Sequence, residues 1–353
     1  MCVGNLTDAE FQLRRAAHGR ERVCGPLARG TLLSLNNLAI VCRRRGCYEE
    51  AAQLYQRCLA ASEELTGPSH LETLSVAINY AVLLKNMGRY DSAERLYKRT
   101  VHGRSVALGA THPATLVAIN NLALLLEVTG RLAEARAYHQ QVLEGRKATL
   151  GVDHQSTRDS GGSVARMLCL EGKLEEAADM AHTVHAGTEA ALGVHHPSTL
   201  YLADVLTGVW RAQGRLTEAD ALCQRTLTAL EETHGTSHPD VWAAVHKLAD
   251  LRVAQADALA AEPLYRRALT GREAHFGAAH QSTLESARKL IALLRERACH
   301  PEANALEQRF ALARISRVVH FSRIARLARA VQCAPPASGS STVNSTQGLQ
   351  SPD

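Results

Sequence analysis

Residues 109–150 read GATHPATLVAINNLALLLEVTGRLAEARAYHQQVLEGRKATL, and this stretch decides the fold. It opens with a turn sequence, continues with an apolar segment that ends at Gly130, and closes with a second amphipathic segment before Gly151. The same plan recurs with a glycine every 42 residues, at Gly25, Gly67, Gly109, Gly151, Gly193, Gly235 and Gly277. A fixed period of this length predicts an array of stacked helical repeats.

Each repeat carries start and stop signals for two helices. A histidine stands in register before the first helix, at His70, His112, His154, His196, His238 and His280. The threonine three residues later, such as Thr115, is expected at the N-cap or in the first turn of that helix. A second glycine series ends the first helix, because glycine adopts positive φ at little cost. This series comprises Gly46, Gly88, Gly130, Gly172 and Gly214, and the last two repeats have Ala256 and Ala298 there.

The second helix of each repeat carries a small residue at one fixed position. Alanine occupies it throughout, at Ala51, Ala93, Ala135, Ala177, Ala219, Ala261 and Ala303. An unbroken small residue predicts a close crossing between helices. Repeat four differs, because Gly161 and Gly162 lie inside its first helix. Two interior glycines cost about 1 kcal/mol each relative to alanine, so we expect a soft segment and a hinge there.

The pattern from Ala39 through Gly46 to Ala51, with Tyr55 next, resembles the tetratricopeptide repeat. The generic repeat has about 34 residues. The 42-residue unit with H-P-x-T-L, N-N-L-A and L-Y-x-R-x-L is similar to the kinesin light chain family of these repeats, and the resemblance covers residues 9–310. It implies an all-α fold, namely a right-handed superhelical α-solenoid of antiparallel helix pairs.

The repeat boundaries divide the chain into four parts. Residues 1–30 are interpreted as a half-repeat with a second helix and a turn, because residues 9–24 align with residues 261–276 six periods later. Residues 31–308 hold seven full repeats. Residues 309–331 are basic and apolar-patterned, which favours a capping helix over a membrane-surface or calmodulin-target helix. Residues 332–353 are rich in Pro, Ser, Thr and Gly, and we expect disorder.

Composition excludes several classes of function. Hydrophobic residues make up 46% and aromatic residues 4% of the chain, which favours helices over sheets. The net charge of +5 is dispersed, so nucleic-acid binding is not expected. The nine cysteines show no CxxC pattern, and no apolar run reaches the about 18 residues of a membrane span. With no signal peptide, the sequence predicts a soluble cytoplasmic protein, or one associated with the cytoskeleton.

The sequence contains no pattern for catalysis or for a cofactor. It has no GxSxG, P-loop, GxGxxG or HExxH motif. The in-phase histidines cannot share a metal ion, because adjacent repeats are separated by about 8–10 Å and two zinc-bound imidazole nitrogens lie within about 4 Å. We expect these histidines to bond the backbone at repeat junctions. The sequence therefore predicts no catalytic residue, no cofactor and no metal site.

The surface left for function is the concave groove lined by the first helices. In tetratricopeptide domains the position two before the small residue of the first helix faces the groove. The resemblance thus implies Asn37, Asn79, Asn121, Ser163, Val205, Lys247 and Lys289. An asparagine amide donates and accepts, so it can hold the backbone of an extended peptide.

Basic residues outnumber acidic ones near these positions. On the same face we place Arg43, Arg44, Lys85, Asn86 and Arg166, with Glu127 among the few acids. The positive charge predicts an acidic peptide as the ligand. The predicted peptide-binding residues are Asn37, Asn79, Asn121, Arg44, Lys85, Asn86, Lys247 and Lys289.

These features predict a non-catalytic scaffold or adaptor that binds linear peptide segments of protein partners. One alternative is a cargo adaptor of the kinesin light chain type. That family has a long coiled coil before its repeats, and only about thirty residues precede repeat one here, so we do not expect a motor subunit. The other alternative is the sensor region of a larger signalling ATPase or ciliary protein.

Overall fold

The computed structural model describes the backbone of residues 3–311 and the side chains from residue 8 onward. The predicted basic helix at 309–331, apart from its first three residues, and the predicted disordered tail at 332–353 lie outside the described residues. The helices are α1 (Val3–Cys24), α2 (Arg29–Arg44), α3 (Tyr48–Thr66), α4 (Leu71–Asn86), α5 (Tyr90–Leu108), α6 (Pro113–Val128), α7 (Leu132–Leu150), α8 (Gln155–Leu170), α9 (Leu174–Leu192), α10 (Pro197–Ala212), α11 (Leu216–His234), α12 (Pro239–Ala254), α13 (Ala258–Phe276) and α14 (Gln281–Glu296). Residues 300–311 are helical as well.

Two helix lengths alternate along the chain. The first helices of the repeats (α2, α4, α6, α8, α10, α12 and α14) have 16 residues each. The second helices (α3, α5, α7, α9, α11 and α13) have 19 residues each. Together with two short turns, one pair fills the 42-residue period. The predicted all-α solenoid of helix pairs is therefore confirmed.

The helices fall into two compact units. Unit 1 is Met1–Thr236 and contains α1–α11, and unit 2 is Ser237–Asp353 and contains α12–α14. Tyr55 and Tyr97 are fully buried in the core of unit 1. In unit 2, Phe310 is buried beside Leu290, and Arg309 Nη2 lies 2.6 Å from Glu273 Oε1. The first residues of the predicted basic segment thus pack onto unit 2.

A histidine is the N-cap of every first helix from α4 to α14. Its ring Nδ1 accepts a hydrogen bond from the backbone N–H two residues later, as from Ala114 to His112 at 3.1 Å. The other caps are His70, His154, His196, His238 and His280. These contacts satisfy an N–H group that the start of a helix leaves without a partner. The predicted backbone-bonding role of the histidines is confirmed.

The threonine found in six of the seven repeats lies in the first turn and not at the N-cap, and repeat six has Val241 there. In four repeats its hydroxyl donates to the carbonyl of the glycine six residues earlier, as from Thr157 to Gly151 at 2.8 Å. The other three threonines are Thr31, Thr73 and Thr199. The hydroxyl therefore ties the turn between repeats to the start of the next helix.

The second glycine series adopts the left-handed conformation that was predicted. Gly46, Gly88, Gly130, Gly172 and Gly214 have φ between 75° and 81°. In repeats six and seven, Ala256 and Ala298 adopt the same conformation, with φ of 61° and 59°. An L-residue with a Cβ atom pays a steric cost in this region.

A glycine–arginine pair joins each of three second helices to the structure around it. A Cβ atom on Gly145 would lie 2.8 Å from Leu116 Cδ2, so a larger residue there would require the Leu116 side chain to shift. Arg146 Nη1 donates to Ser156 O at 2.9 Å and so adds a hydrogen bond to a carbonyl in the first turn of α8. Equivalent pairs are Gly103–Arg104 and Gly271–Arg272.

The glycines of repeat four serve close packing, contrary to the expected hinge. A Cβ atom on Gly161 would meet Val184 Cγ1 at 2.8 Å, and one on Gly162 would meet Leu202 Cδ2 at 2.4 Å. As a result, α8 contacts α10 more extensively than α2 contacts α4 or α4 contacts α6. The first helices of repeats four and five are therefore the most closely packed pair.

Among residues 3–311, no helix combines the length and the apolar character needed to cross a bilayer. The seven cysteines in this part of the chain are free thiols.

Candidate functional site

The candidate site is the exposed face of α2, α4 and α6 in unit 1, on the side where the groove was predicted. We call this face the first-helix wall. Asn37 is exposed, and Asn79 and Asn121 are half-buried. Asn79 Nδ2 donates to Asn36 Oδ1 at 3.3 Å, which links α4 to α2. The structure therefore places the three predicted asparagines on neighbouring helices, at positions that are exposed or half-buried.

The predicted cation and amide positions at the C-terminal ends of these helices are also on this wall. Arg44 and Asn86 are exposed, and Lys85 and Arg43 are half-buried. Burial lowers the pKa of Lys85, Glu127 partly offsets this effect, and Arg43 lowers the pKa further. Two neighbouring cations in a partly desolvated place favour the approach of an anion.

Glu127, the acid predicted on this face, is already paired. His139 Nε2 lies 2.5 Å from Glu127 Oε1, and Arg166 Nη2 donates to the same oxygen at 3.0 Å. The His139 side chain is 1% exposed, so this interaction lies in the core beneath the wall. The negative charge of Glu127 is therefore neutralised within the protein.

In repeats four and five, the residues at the predicted groove position are buried, and the prediction is wrong there. Ser163 is 8% exposed and Val205 is 5% exposed. The Ser163 hydroxyl lies 3.1 Å from the Tyr201 hydroxyl. The close packing of α8 on α10, which Gly162 permits, buries these positions between helices. Neither residue can contact a peptide in this structure.

Two predicted site residues lie in unit 2. Lys247 is exposed. Lys289 Nζ lies 3.2 Å from Asp250 Oδ1, and the Tyr265 hydroxyl donates to the same oxygen at 2.5 Å. Part of the Lys289 charge is thus balanced inside unit 2.

Tyr55 and Tyr97 are the functional candidates that the sequence analysis missed. Both are completely buried, yet neither hydroxyl has a hydrogen-bond partner, and Arg43 Nε beside them has none either. The signal was available in the sequence, because Tyr55, Tyr97, His139 and Tyr265 recur at one position of the second helix. In unit 1, the buried rings of Tyr55, Tyr97 and His139 therefore place polar groups beneath the wall.

An apolar cleft of about 770 Å³ adjoins the wall in unit 1. It lies between α2, α3 and α4, and its lining includes the exposed side chains of Leu33 and Leu65. Asn36, the acceptor from Asn79, also lines it. The cleft therefore offers room for an apolar side chain next to the asparagines.

One cluster in unit 1 has metal-ligand chemistry but is an ion-pair network. Glu10, Cys42 and Glu50 present ligand atoms within 4.8 Å of one another. Arg14 Nη2 lies 2.8 Å from Glu10 Oε1 and 2.6 Å from Glu50 Oε1, and Arg45 also pairs with Glu10. Burial raises the pKa of the Cys42 thiol to about 12. A metal ion would have to displace both arginines, so these residues do not fit a metal site.

The repeats of this chain match a known protein family. A family model described as tetratricopeptide repeat matches residues 30–104, 72–148, 114–180 and 208–274, which together exceed half of the chain. No curated protein matches.

Three solved structures are similar to the chain. One is a Podosopora anserina protein described as a kinesin light chain with nearly identical TPR-like repeats, at 25% identity over 57% of this chain and 95% of that one, with a TM-score of 0.51. Another is the apo form of the quorum sensor NprR from B. thuringiensis, at 13% identity over 86% and 82%, with a TM-score of 0.64. The third is a Rap protein complexed with Competence and Sporulation Factor, at 12% identity over 94% and 96%, with a TM-score of 0.56. The last two show a shared fold.

Proposed function

The chain belongs to the tetratricopeptide repeat family, and we propose that it is a non-catalytic scaffold whose first-helix wall binds linear, acidic peptide segments of partner proteins. The observation that supports this proposal most strongly is the row of Asn37, Asn79 and Asn121 on three neighbouring helices, at positions that are exposed or half-buried. Each amide offers both a donor and an acceptor to a peptide backbone. A row of such groups suits an extended segment of variable sequence.

The charge of the wall supports an acidic ligand. Within the described residues, neither Arg43 nor Lys85 has a carboxylate within 4 Å, whereas Glu127 forms an ion pair with Arg166. The wall of repeats one to three therefore carries net positive charge. Charge complementarity would raise the association rate and the preference for acidic segments.

Two more specific forms of this proposed scaffold function, a cargo adaptor and a sensor region, each have support of their own. Similarity at 25% identity to a protein described as a kinesin light chain favours a cargo adaptor. The shared fold with the quorum sensor NprR favours a sensor region that responds to a bound ligand. Location in the cytoplasm, association with the cytoskeleton and membrane contact by residues 309–331 stay predictions.

To test the proposal, a display library of random peptides is screened for members that bind the full chain. We expect the selected peptides to be enriched in Asp and Glu. The triple variant Asn37→Ala, Asn79→Ala and Asn121→Ala should lose at least about tenfold in affinity for them, because each lost amide removes hydrogen bonds worth about 0.5–1.5 kcal/mol each. Circular dichroism should show unchanged helicity.

The matched control is Asn304→Ala, which changes an exposed asparagine of unit 2 that is on none of the three helices of the wall. It should bind the selected peptides as the wild type does. Equal binding by the triple variant and the wild type would contradict the proposed function.

A further inference from the structure

A buried histidine of repeat four lines a cavity between α9, α10 and α11. His185 is 5% exposed, and the cavity of about 450 Å³ is also lined by His182, Glu189, Trp210 and Arg225. Among the described residues, no group forms a hydrogen bond with His185 Nε2. A buried polar atom without a partner is costly and uncommon in folded proteins, so this atom calls for an explanation.

The other repeats show that packing does not require a histidine at this position. In α3, α5, α7, α11 and α13 the equivalent position holds an aliphatic residue, namely Leu59, Val101, Leu143, Leu227 and Leu269. An aliphatic side chain can be buried there without leaving a polar atom unpaired. Repeat four therefore departs from the other repeats at the cost of stability, and the departure places an imidazole in the lining of the cavity.

A carboxylate lies beside this imidazole. His185 Nε2 and Glu189 Oε2 are 3.9 Å apart, which is too long for a hydrogen bond. Two ligand atoms that each bind one zinc ion at about 2.0–2.1 Å lie no more than about 4 Å apart. The observed separation therefore fits a shared metal ion without a large movement of either side chain.

A third side chain with metal-ligand chemistry lies on the same face of α9. His182 precedes His185 by three residues and Glu189 by seven, and residues at these spacings lie along one stripe of a helix. His182 is exposed and lines the same cavity, so its ring can turn toward the other two groups. Imidazole and carboxylate are both ligands of zinc in proteins.

Arg225 holds the carboxylate of Glu189 in place. Arg225 Nη2 donates to Glu189 Oε2 at 3.0 Å, and no described residue donates a hydrogen bond to Oε1. The same pairing recurs between other consecutive second helices, as between Arg99 and Glu63 at 2.5 Å. Carboxylates that bind metal ions are themselves hydrogen-bonded in this way. The Glu10 cluster differs, because two arginines pair with that one carboxylate.

We propose that His182, His185 and Glu189 form a binding site for a divalent metal ion such as zinc. His185 and Glu189 are the ligands whose separation fits the ion directly, and His182 supplies a third after its side chain turns. Water completes the coordination, as in zinc sites with three protein ligands. Neither histidine belongs to the in-phase series for which a shared ion was excluded, and the proposal departs from the sequence-based prediction of no metal site.

The site lies on α9 and not on the first-helix wall, so it is independent of the proposed function. The test titrates zinc chloride into the full chain at neutral pH, with a chromophoric chelator as competitor. We expect one site that binds zinc more tightly than the exposed histidines elsewhere do. His185→Leu introduces the residue of other repeats, so the chain should stay folded. It should weaken zinc binding at least about tenfold, since even the loss of a group behind a metal ligand costs about 10–100-fold in affinity.

Thermal unfolding separates zinc binding from folding. One equivalent of zinc should raise the unfolding temperature of the wild type, because an ion that binds only the folded state stabilises it. Without zinc, His185→Leu should unfold at a higher temperature than the wild type, since a buried polar atom without a partner is removed. Zinc should no longer raise the unfolding temperature of this variant.

Two glutamate variants form a matched pair of controls. Glu189→Gln removes a proposed ligand together with its ion pair to α11, whereas Glu63→Gln breaks only the equivalent ion pair with Arg99. We expect only Glu189→Gln to weaken zinc binding. Equal zinc affinity in the wild type and His185→Leu would overturn the proposal, and so would an equal effect of the two glutamate variants.

Discussion

Ala256 and Ala298 hold a left-handed backbone conformation that glycine holds in the earlier repeats. This conformation costs a non-glycine residue about 1–2 kcal/mol. Glycine adds about 0.5–1 kcal/mol of chain entropy to the unfolded state. We therefore expect Ala256→Gly and Ala298→Gly each to increase the free energy of unfolding by about 0.5–1 kcal/mol, measured by urea denaturation.

The control for these substitutions is Ala137→Gly, which lies on an exposed face inside α7. It should decrease the free energy of unfolding by about 1 kcal/mol. Destabilisation by all three substitutions would show that Ala256 and Ala298 are not strained.

Gly162 and Gly208 provide a second matched pair, because both lie inside first helices. A Cβ atom on Gly162 would lie 2.4 Å from Leu202 Cδ2, and Leu202 is fully buried, whereas a Cβ atom on Gly208 would meet nothing within 4 Å. Gly162→Ala should cost about 1–3 kcal/mol by overpacking. Gly208→Ala should stabilise by about 1 kcal/mol through helix propensity. Thermal unfolding of both variants checks this, and stabilisation by Gly162→Ala would restore the hinge interpretation.

At the residue scale, the sequence was sufficient to predict residues whose role is set by their neighbours in the chain. The histidine series and the glycines of positive φ are examples, since a cap and a turn are fixed within a few residues. The glycine–arginine pairs recur visibly in the sequence, but their partners lie on other helices. Their role could not be derived from spacing alone.

At the scale of the helical element, two buried histidines make stability depend on pH. His185 in α9 and His246 in α12 are each 5% exposed, and neither Nε2 atom has a hydrogen-bond partner. Burial lowers the pKa of both, and Glu189 and Asp250 offset this only in part. The folded state therefore takes up a proton at these histidines less readily than the unfolded chain, whose value is near 6.5.

Because the unfolded state binds more protons below about pH 6.5, stability should fall as the pH decreases from there. We expect a lower unfolding temperature at pH 5 than at pH 7.5, with a smaller difference in His185→Gln and His246→Gln. The control His102→Gln changes an exposed histidine and should leave the difference unchanged. A pH dependence that all three variants share with the wild type would contradict this account.

The order of the helices was predictable because residues typical of helix starts and ends recur in most repeats. The burial of Ser163 and Val205 in repeats four and five was not predictable from the sequence. Gly161 and Gly162 indicate weak helix propensity in the sequence, but in the structure they admit Val184 and Leu202. Whether a glycine loosens a helix or lets a neighbour approach depends on tertiary packing, which a single repeat does not encode.

At the scale of the whole molecule, binding should depend on salt if the wall recognises acidic peptides by charge. Exposed charges are screened over about 8 Å at physiological ionic strength and about 3 Å at 1 M. We expect the affinity for a selected acidic peptide to fall as sodium chloride rises from 0.05 to 0.5 M, measured by fluorescence polarisation. A peptide with Asn and Gln in place of Asp and Glu is the control. Equal salt dependence of the two peptides would exclude charge as the basis of selection.

The family and the solenoid fold could be read from the period, whereas the ligand could not. The charge of the wall depends on which carboxylates are paired inside the protein, and the pairing of Glu127 with His139 and Arg166 joins three helices. In the sequence, Glu127 and Arg166 are 39 residues apart and were predicted only as separate charges on one face. Their pairing became apparent only in three dimensions.

The measurement that tests the central claim most directly is a crystal structure of the full chain with a selected acidic peptide. The account predicts an extended peptide along α2, α4 and α6, with its backbone hydrogen-bonded to the amides of Asn37, Asn79 and Asn121. A peptide bound on the second helices, or one that leaves the three amides in contact with solvent, would contradict it.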